Sequence, residues 1–313
     1  MSLPNVVFLD AETLGLETLD TELFYSLDAN TTVYGQTQAC DTASRIKDAN
    51  AILVNKVVLN ESALQQAPLL KYIGVTATGM NNIDLDYCKT HGIEVRNVEG
   101  YGTDSVAQHT LTLLLNLATS FMQYQNDINQ GAWSASSHFC LSEHPVFELA
   151  GKHAVIVGHG ELGKRVESLF KAFGMRVSIA ARPGKQDDPR PTLATLLPSA
   201  DVLSLHCPLT QENEKMINAD LLAQMKPSSF LINTARGGLV DEPALLRALE
   251  NKQIGGAALD VLSVEPPPKD HVLLNAKLPN LLITPHNAWV GKRARQTLLD
   301  SAVKALTEHL NHL

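Results

Sequence analysis

The stretch Ala154 to Arg165, AVIVGHGELGKR, decides how the rest of this chain is read. Four apolar residues suited to a buried strand run straight into the pattern GxGxxG, and an amphipathic segment follows. Gly158 permits a tight strand-to-helix turn, Gly160 lets backbone approach a pyrophosphate, and Gly163 lets helix and sheet pack closely. Free N–H groups and the helix dipole at such a turn favour an anion. The whole turn, Gly158, His159, Gly160, Glu161, Leu162 and Gly163, is therefore the expected dinucleotide contact. An isolated match reads equally well as a βα turn without a ligand, so its surroundings have to decide.

Those surroundings are a regular series. Strand patterns recur as HAVIVG, MRVSIAA, DVLSLHC, SFLINTA, GGAALDV and LLITP, with helical patterns such as ELGKRVESLFKAFG and DEPALLRALENKQ between them. Six strands with helical crossovers predict a doubly wound parallel sheet, whose ligands lie beyond the carboxyl ends of the strands at the switch point. Upstream, VVFLD, TTVYG, AILVN, KYIGV and IEVRN alternate with helical stretches, which predicts a second, smaller set of parallel βαβ units. Between the two series, VAQHTLTLLLNLATSFMQYQ predicts one long buried helix capped by Asp104 or Ser105. The last amphipathic run, KRARQTLLDSAVKALTEHLNHL, is expected to return to the first domain. The expected fold is thus two-domain α/β: a Rossmann-type dinucleotide domain, residues 103–289, inserted in a flavodoxin-like substrate domain, residues 1–102 and 290–313.

Bulk properties narrow the function. A chain of 313 residues exceeds the usual single core. Its 44% hydrophobic and 19% charged residues fit a globular protein without disordered tracts. A formal net charge of -8, with no basic stripe, argues against a nucleic-acid partner. No apolar run approaches a membrane span. MSLPNVVFLD reads as a first strand rather than a signal peptide. Cys40, Cys88, Cys140 and Cys207 are widely spaced, which suits a reducing, cytoplasmic setting.

The end of the second strand of the dinucleotide series carries the cofactor question. An NAD site expects Asp or Glu there, about twenty residues beyond the glycine turn, to hold the ribose 2′-OH. The chain instead reads SIAARPGK, with Ala181 in that place and Arg182 after it. A guanidinium suits a 2′-phosphate, with Lys185 and Arg190 able to assist. NADP is therefore expected over NAD, while Asp187 and Asp188 would dilute the positive field.

Polar groups stand just beyond the later strands: Arg236 in INTARGGLVD, Asp260 and Glu265 in LDVLSVEPPP, and His286 in ITPHNAW. Reducing a keto acid needs a cation for carboxylate and carbonyl, a proton donor, and a group that keeps the donor charged. Arg, His and Glu meet those needs.

Here the chain resembles the D-isomer-specific 2-hydroxyacid dehydrogenases over essentially its whole length. VLSLHCPLT, INTARGGLVDE, GGAALDVLSVEPPP and LLITPHNAW carry the likeness in order, and GYGTDSVAQHT and GAWSASSHFC point to the glycerate dehydrogenase or hydroxypyruvate reductase branch. The resemblance implies that Arg236 holds the substrate carboxylate and polarises its carbonyl. It implies that His286 transfers the proton and that Glu265 hydrogen-bonds His286 and favours its charged form. It assigns Asp260 to the nicotinamide carboxamide, with Thr234 and Ala235 backbone nearby, and His206, Cys207 and Pro208 to the cofactor side. Backbone N–H groups of Ala77, Thr78 and Gly79 would receive the substrate carboxylate, with Lys56 bordering the cleft. Domain closure would exclude water, and a homodimer is implied.

The expected partner is a small 2-keto or 2-hydroxy acid, with hydroxypyruvate and glyoxylate as the leading substrates. Rival readings are a nicotinamide-sensing, corepressor-like binding protein and a phosphoglycerate dehydrogenase-like enzyme. The cluster His138, Cys140, Glu143 and His144 fits no zinc spacing, so no metal is expected. His109, in the long helix, is read as a residue of packing or of helix-interface chemistry. Asn213 stands where family members often carry Thr.

Overall fold

A computed structural model describes residues 3–185 and 187–312. Two compact units emerge from the chain, Met1–Gly102 with Trp289–Leu313, and Thr103–Ala288. The first unit's second segment thus begins at Trp289, whose ring meets Tyr101 edge-on at 6.4 Å.

In the first unit, five parallel strands, β1 (Asn5–Phe8), β2 (Asn30–Val33), β3 (Ala51–Val54), β4 (Tyr72–Val75) and β5 (Glu94–Arg96), lie in the order β2-β1-β3-β4-β5. Alternate residues feed opposite faces. Val7, Ile52, Val54, Ile73 and Val75 enter one apolar core. Val6, Phe8, Ala51, Leu53 and Tyr72 enter the other, where Leu298, Leu299, Ala302, Val303 and Leu306 of the closing helix Lys292–Leu310 cover them. Strands buried on both faces need continuous apolar runs, which is why AILV and YIGV read as they do. Each buried Val, Leu, Ile or Phe side chain among them contributes about 1.5–3 kcal/mol on burial.

The second unit carries β6 (His153–Val157), β7 (Arg176–Ile179), β8 (Val202–Leu205), β9 (Phe230–Asn233), β10 (Gly256–Leu259) and β11 (Leu281–Ile283), all parallel, in the order β11-β10-β9-β8-β6-β7. The winding reverses between β6 and β8, so the crevice for a ligand opens beyond the ends of those two strands. It is the same winding as the first sheet with one further strand added. Val155 and Val157 pack on one face with Leu203, Leu205 and Leu231. Ala154 and Ile156 pack on the other with the helix Thr103–Ala118.

One expected element differs. The long helix is two helices, Thr103–Ala118 and Phe121–Asn129, broken where Ser120 adopts a left-handed conformation, φ 48°. The Phe147 N–H donates to the Ala118 carbonyl at 2.6 Å, and Ser120 Oγ donates to the Pro145 carbonyl at 2.6 Å. The returning loop thus takes the Ala118 carbonyl that a continuing helix would use, and holds Ser120 by its side chain. Asp104 lies inside the first helix and its carboxylate binds Arg165 Nε at 2.8 Å, so its side chain is taken up in a pair between helices. Among the described residues no helix is long and apolar enough to cross a membrane.

Candidate active site

The glycine turn leaves β6 and opens the helix Glu161–Ala172. Gly158 has φ 95°, and a Cβ there would lie 2.5 Å from the His206 carbonyl carbon, so only glycine lets the β6 and β8 ends meet. A Cβ on Gly163 would lie 2.1 Å from Gly158 O, whereas one on Gly160 would meet nothing within 4 Å. The turn is therefore packed below and open above. No side chain caps the helix at Gly160, so its first-turn N–H groups have no side-chain acceptor at the cap. This cradle fits a pyrophosphate. The turn's two polar side chains are directed elsewhere: His159 Nε2 lies 2.6 Å from Glu167, and Glu161 accepts from Thr103 Oγ1 at 2.8 Å. What the turn offers a phosphate is backbone.

Beyond β7, Ala181 closes a loop by donating its N–H to Pro191 O at 2.8 Å. Inside that loop Asp188, its side chain only 2% exposed, binds Arg182 Nε at 3.0 Å and Arg190 Nη2 at 2.5 Å. Its carboxyl is held far below the usual range, chiefly by Arg190, against the opposing effect of burial and with help from Arg182 and two backbone N–H groups. Asp188 is saturated by these donors and cannot grip a ribose. Arg182 remains 64% exposed with its Nε anchored. In sequence Asp188 is a charge that dilutes the positive field; in the structure it is the hub that holds two arginines.

Beyond β8, Cys207 is buried and its thiol is pushed up to about 11 by that burial. His206 Nε2 lies 2.8 Å from Ser204 Oγ, and burial pushes the imidazole down to about 3. Asn213 staples the loop, accepting from Thr210 N at 2.7 Å and donating to Pro208 O at 2.8 Å.

Beyond β9, buried Asn233 shapes the turn to Arg236: its Oδ1 accepts from Ala235 N at 3.0 Å and its Nδ2 donates to Arg236 O at 2.9 Å. Thr234 Oγ1 pairs with Thr110 Oγ1 at 2.9 Å, which leaves its backbone as the part available to a ligand. Gly237 presses against the Leu262 backbone so closely that a Cβ would overlap it at 1.9 Å. The Arg236 turn therefore abuts the loop that carries Glu265.

In that loop the Leu262 N–H donates to Glu265 Oε1 at 2.9 Å, aiming Oε2 at His286 Nδ1, 2.6 Å away. The loop itself is anchored by buried Glu242, which accepts from Ser263 N and Ser263 Oγ at 2.7 Å each, with His271 Nε2 at 3.2 Å. His286 stands beyond β11 at φ 51°, with its N–H on Asp260 O at 2.8 Å. Glu242, Ser263 and His271 were missed by sequence reading. The one signal for them, the acid in LVDEPAL, looks like an ordinary first-turn helix residue.

In the first unit, Asp10 is the corresponding anchor. Its buried carboxylate accepts from Asn55 N at 2.8 Å, Lys56 N at 2.6 Å and Val57 N at 3.1 Å, fixing the loop of Lys56 at that sheet's own reversal point. The loop of Ala77, Thr78 and Gly79 is held by Thr78 Oγ1 on Val98 O at 3.0 Å and by Asn97 Nδ2 on Thr78 O at 2.6 Å. In the cluster suggestive of metal ligands, His144 pairs with Asp127 at 2.7 Å.

A doubly wound sheet with an open glycine cradle at its reversal point, and a histidine–carboxylate pair beyond its last strands, is built for dinucleotide-dependent oxidation and reduction. Comparison with known proteins agrees. Residues 111–288 match the family described as D-isomer specific 2-hydroxyacid dehydrogenase, NAD binding domain. Glycerate dehydrogenase of Methylorubrum extorquens is 38% identical over 96% of this chain and 94% of its own length. The D-lactate dehydrogenase of Aquifex aeolicus, solved with NAD and lactic acid, superposes with a TM-score of 0.84 at 30% identity, covering 98% of this chain and 96% of that one. An NADPH-dependent glyoxylate/hydroxypyruvate reductase from Sinorhizobium meliloti, solved with NADP and malonate, gives 0.80 at 27% identity, covering 97% and 93%. The chain belongs to the D-isomer specific 2-hydroxyacid dehydrogenase family, and is a nicotinamide-dependent oxidoreductase.

Proposed function

We propose that this enzyme reduces hydroxypyruvate and glyoxylate to D-glycerate and glycolate, with NADPH preferred to NADH. The observation that carries the reading is the 2.6 Å pair of His286 Nδ1 and Glu265 Oε2. It commits Nδ1 to the carboxylate and so directs the transferable proton to Nε2. The substrate class is supported by the glycerate dehydrogenase and the hydroxypyruvate reductase described above.

The bound reduced nicotinamide supplies the hydride that reaches C2 of the keto acid. Backbone N–H groups of the Gly158–Gly163 turn would hold the pyrophosphate, Thr234 and Ala235 backbone would face the nicotinamide end, and His206, Cys207 and Pro208 would line the cofactor side, whereas Asp260, expected at the carboxamide, is 1% exposed and engaged by Thr284, Asn287 and Ala288. Arg236 pairs with the substrate carboxylate and polarises the C2 carbonyl, where negative charge develops. His286 delivers its Nε2 proton to that oxygen, and Glu265 stabilises the imidazolium before transfer and receives no proton itself. Ala77, Thr78 and Gly79 contribute backbone donors for the carboxylate, and Lys56 contributes positive potential beside them. Arg182 reads a 2′-phosphate, which the S. meliloti reductase's NADP complex supports as an option within the family.

A homodimer is part of this reading. Within residues 121–146, Phe121, Met122, Ile128, Trp133, Phe139 and Val146 are exposed, Phe139 at 91%. Such a run of apolar side chains suits burial against a second copy. Light scattering should give twice 34.0 kDa, and a monomer would end the proposal. The cytoplasm is the proposed compartment, supported by four free cysteines, two of them exposed.

The test is the initial rate of NADPH and NADH oxidation with hydroxypyruvate, glyoxylate and pyruvate, alongside His286→Ala. Expected are turnover with the first two acids, higher kcat/KM for NADPH, and a His286→Ala loss of about 10²–10⁴-fold in kcat with cofactor Kd little changed. Cofactor binding without turnover of any 2-keto acid would favour a nicotinamide-sensing protein instead.

A further inference from the structure

His286 occupies the left-handed region at φ 51°, a conformation that is strained for a non-glycine residue and persists only where the surroundings enforce it. The enforcement comes from Asp260. Its carboxylate, in a residue 1% exposed, accepts from Thr284 Oγ1 at 2.6 Å, from Asn287 N at 3.0 Å and from Ala288 N at 3.0 Å. One buried carboxylate thus grips the chain on both sides of the histidine.

One further group reaches this anchor from a different element. His109, on the helix Thr103–Ala118, places Nε2 at 2.9 Å from Thr284 Oγ1 and 3.4 Å from Asp260 Oδ1. The proton on that nitrogen can be assigned by counting. Thr284 has a single hydroxyl hydrogen, and at 2.6 Å it is spent on Asp260, which as a carboxylate only accepts. The Thr284 oxygen must therefore accept from His109, so Nε2 carries a hydrogen. Burial acts to raise the Asp260 pKa, yet the hydrogen bonds from His109, Thr284, Ala288 and Asn287 hold it below its ordinary value. The carboxylate stays charged, which is the state that grips all its donors.

We propose that His109 is a positioning residue for the proton donor His286, acting through Thr284 and Asp260 to hold the 284–288 loop in its strained form. The proposal rests on the reading of His286 as that donor. Glu265 fixes the far side of the imidazole, so the ring is set from two directions: Glu265 orients its plane, and the His109–Thr284–Asp260 chain sets its backbone. Displacement of a reacting group by about 1 Å can cost roughly 10²-fold in rate, so loosening the second fixture should appear in kcat ahead of binding.

The experiment compares His109→Leu, which removes the N–H donor, with His109→Gln, which can restore one, and adds Thr284→Ala to break the same chain at its middle link. Hydroxypyruvate turnover, NADPH Kd, melting temperature and ¹⁵N-detected signals of the His286 ring are measured for each. Expected are a fall of about tenfold or more in kcat for His109→Leu and Thr284→Ala, NADPH Kd within about twofold of wild type, displaced His286 ring signals, and recovery of most of these losses in His109→Gln. Unchanged kcat and ring signals in both disruptive variants would overturn the proposal. So would kcat, Kd and melting temperature failing together with no rescue by glutamine, since that is the signature of packing alone. If His109→Leu does not fold, Thr284→Ala against His109→Gln decides by the same criteria. If the wild-type enzyme turns over no 2-keto acid, the proposed function falls, while the ring signals still decide whether His109 sets His286.

Discussion

Arg182 shows how a single residue acquires a role from a neighbour that sequence reading counted against it. An arginine on an exposed loop would spend side-chain entropy to hold a phosphate. Here Asp188 fixes Arg182 Nε at 3.0 Å, so part of that ordering is already done before a ligand arrives. Arg182→Ala should weaken NADPH by about 1.5–3 kcal/mol, a loss of roughly ten- to a hundredfold, and leave NADH nearly unchanged. Fluorescence titration with both cofactors checks this, and equal losses would remove Arg182 from the 2′-phosphate. The absence of an acid at Ala181 was legible in the sequence. The anchoring of Arg182 was not, because Asp188 lies six residues away along a loop whose closure by Ala181 and Pro191 is a tertiary fact.

At the scale of the element, the glycine turn separates two functions that one motif conceals. Gly163 is required by packing, since any Cβ there overlaps Gly158 O, whereas the space above Gly160 is open. Gly163→Ala should therefore lower stability by about 1–3 kcal/mol through displacement of the helix, and lose cofactor affinity as a consequence. Gly160, at φ -74° and ψ -160°, occupies backbone that alanine accepts. Gly160→Ala should melt near the wild-type temperature and yet bind dinucleotide at least tenfold more weakly, because the methyl stands where backbone must approach phosphate. Thermal melts paired with calorimetric titration separate the two, and a Gly160→Ala protein with native affinity would refute the cradle. Central strand positions were legible because AILV, YIGV, HAVIV and VLSL are buried on both faces and read as short apolar runs. The break at Ser120 was not, because VAQHTLTLLLNLATSFMQYQ keeps its helical pattern across the break. What stops the helix is the competing bond from Phe147, 29 residues beyond Ala118 on this numbering.

For the whole molecule, buried ionisable groups tie stability to pH. The His206 imidazole is pushed down to about 3 by burial, and among the described residues its Nδ1 has no hydrogen-bond partner. Between its unfolded value of about 6.5 and its folded one, the unfolded chain takes up a proton that the native protein refuses. Stability should fall as pH drops through that window, by up to about 1.4 kcal/mol per unit from this residue, and the contribution should level off below it. Asp260 adds to the acid loss, since its lowered pKa makes its contribution present above the ordinary carboxylate value and lost as pH falls through the folded one. Urea unfolding at intervals from pH 7 to pH 4 should show a visibly flatter profile for His206→Gln than for wild type. Identical slopes would show that His206 is solvated in the native state.

The amino-acid sequence by itself determined the two series of parallel strands, the glycine turn, the missing ribose acid, and Arg236, Glu265 and His286 as the candidate site. These are local statements: apolar period, turn chemistry, and polar residues standing just past strand ends. Tertiary structure alone decided which buried polar groups hold the loops beyond the strands of each unit. Asp260 reaches across to residues 284–288, Glu242 to Ser263 and His271, Asp10 to residues 55–57, and His109 to Thr284. Asp260 stands out in sequence only as a cofactor contact, and Glu242, Asp10 and His109 are unremarkable polar residues in their own neighbourhoods. Their roles exist only because a buried charge must find donors wherever the packed chain brings them, and sequence distance carries no information about that meeting.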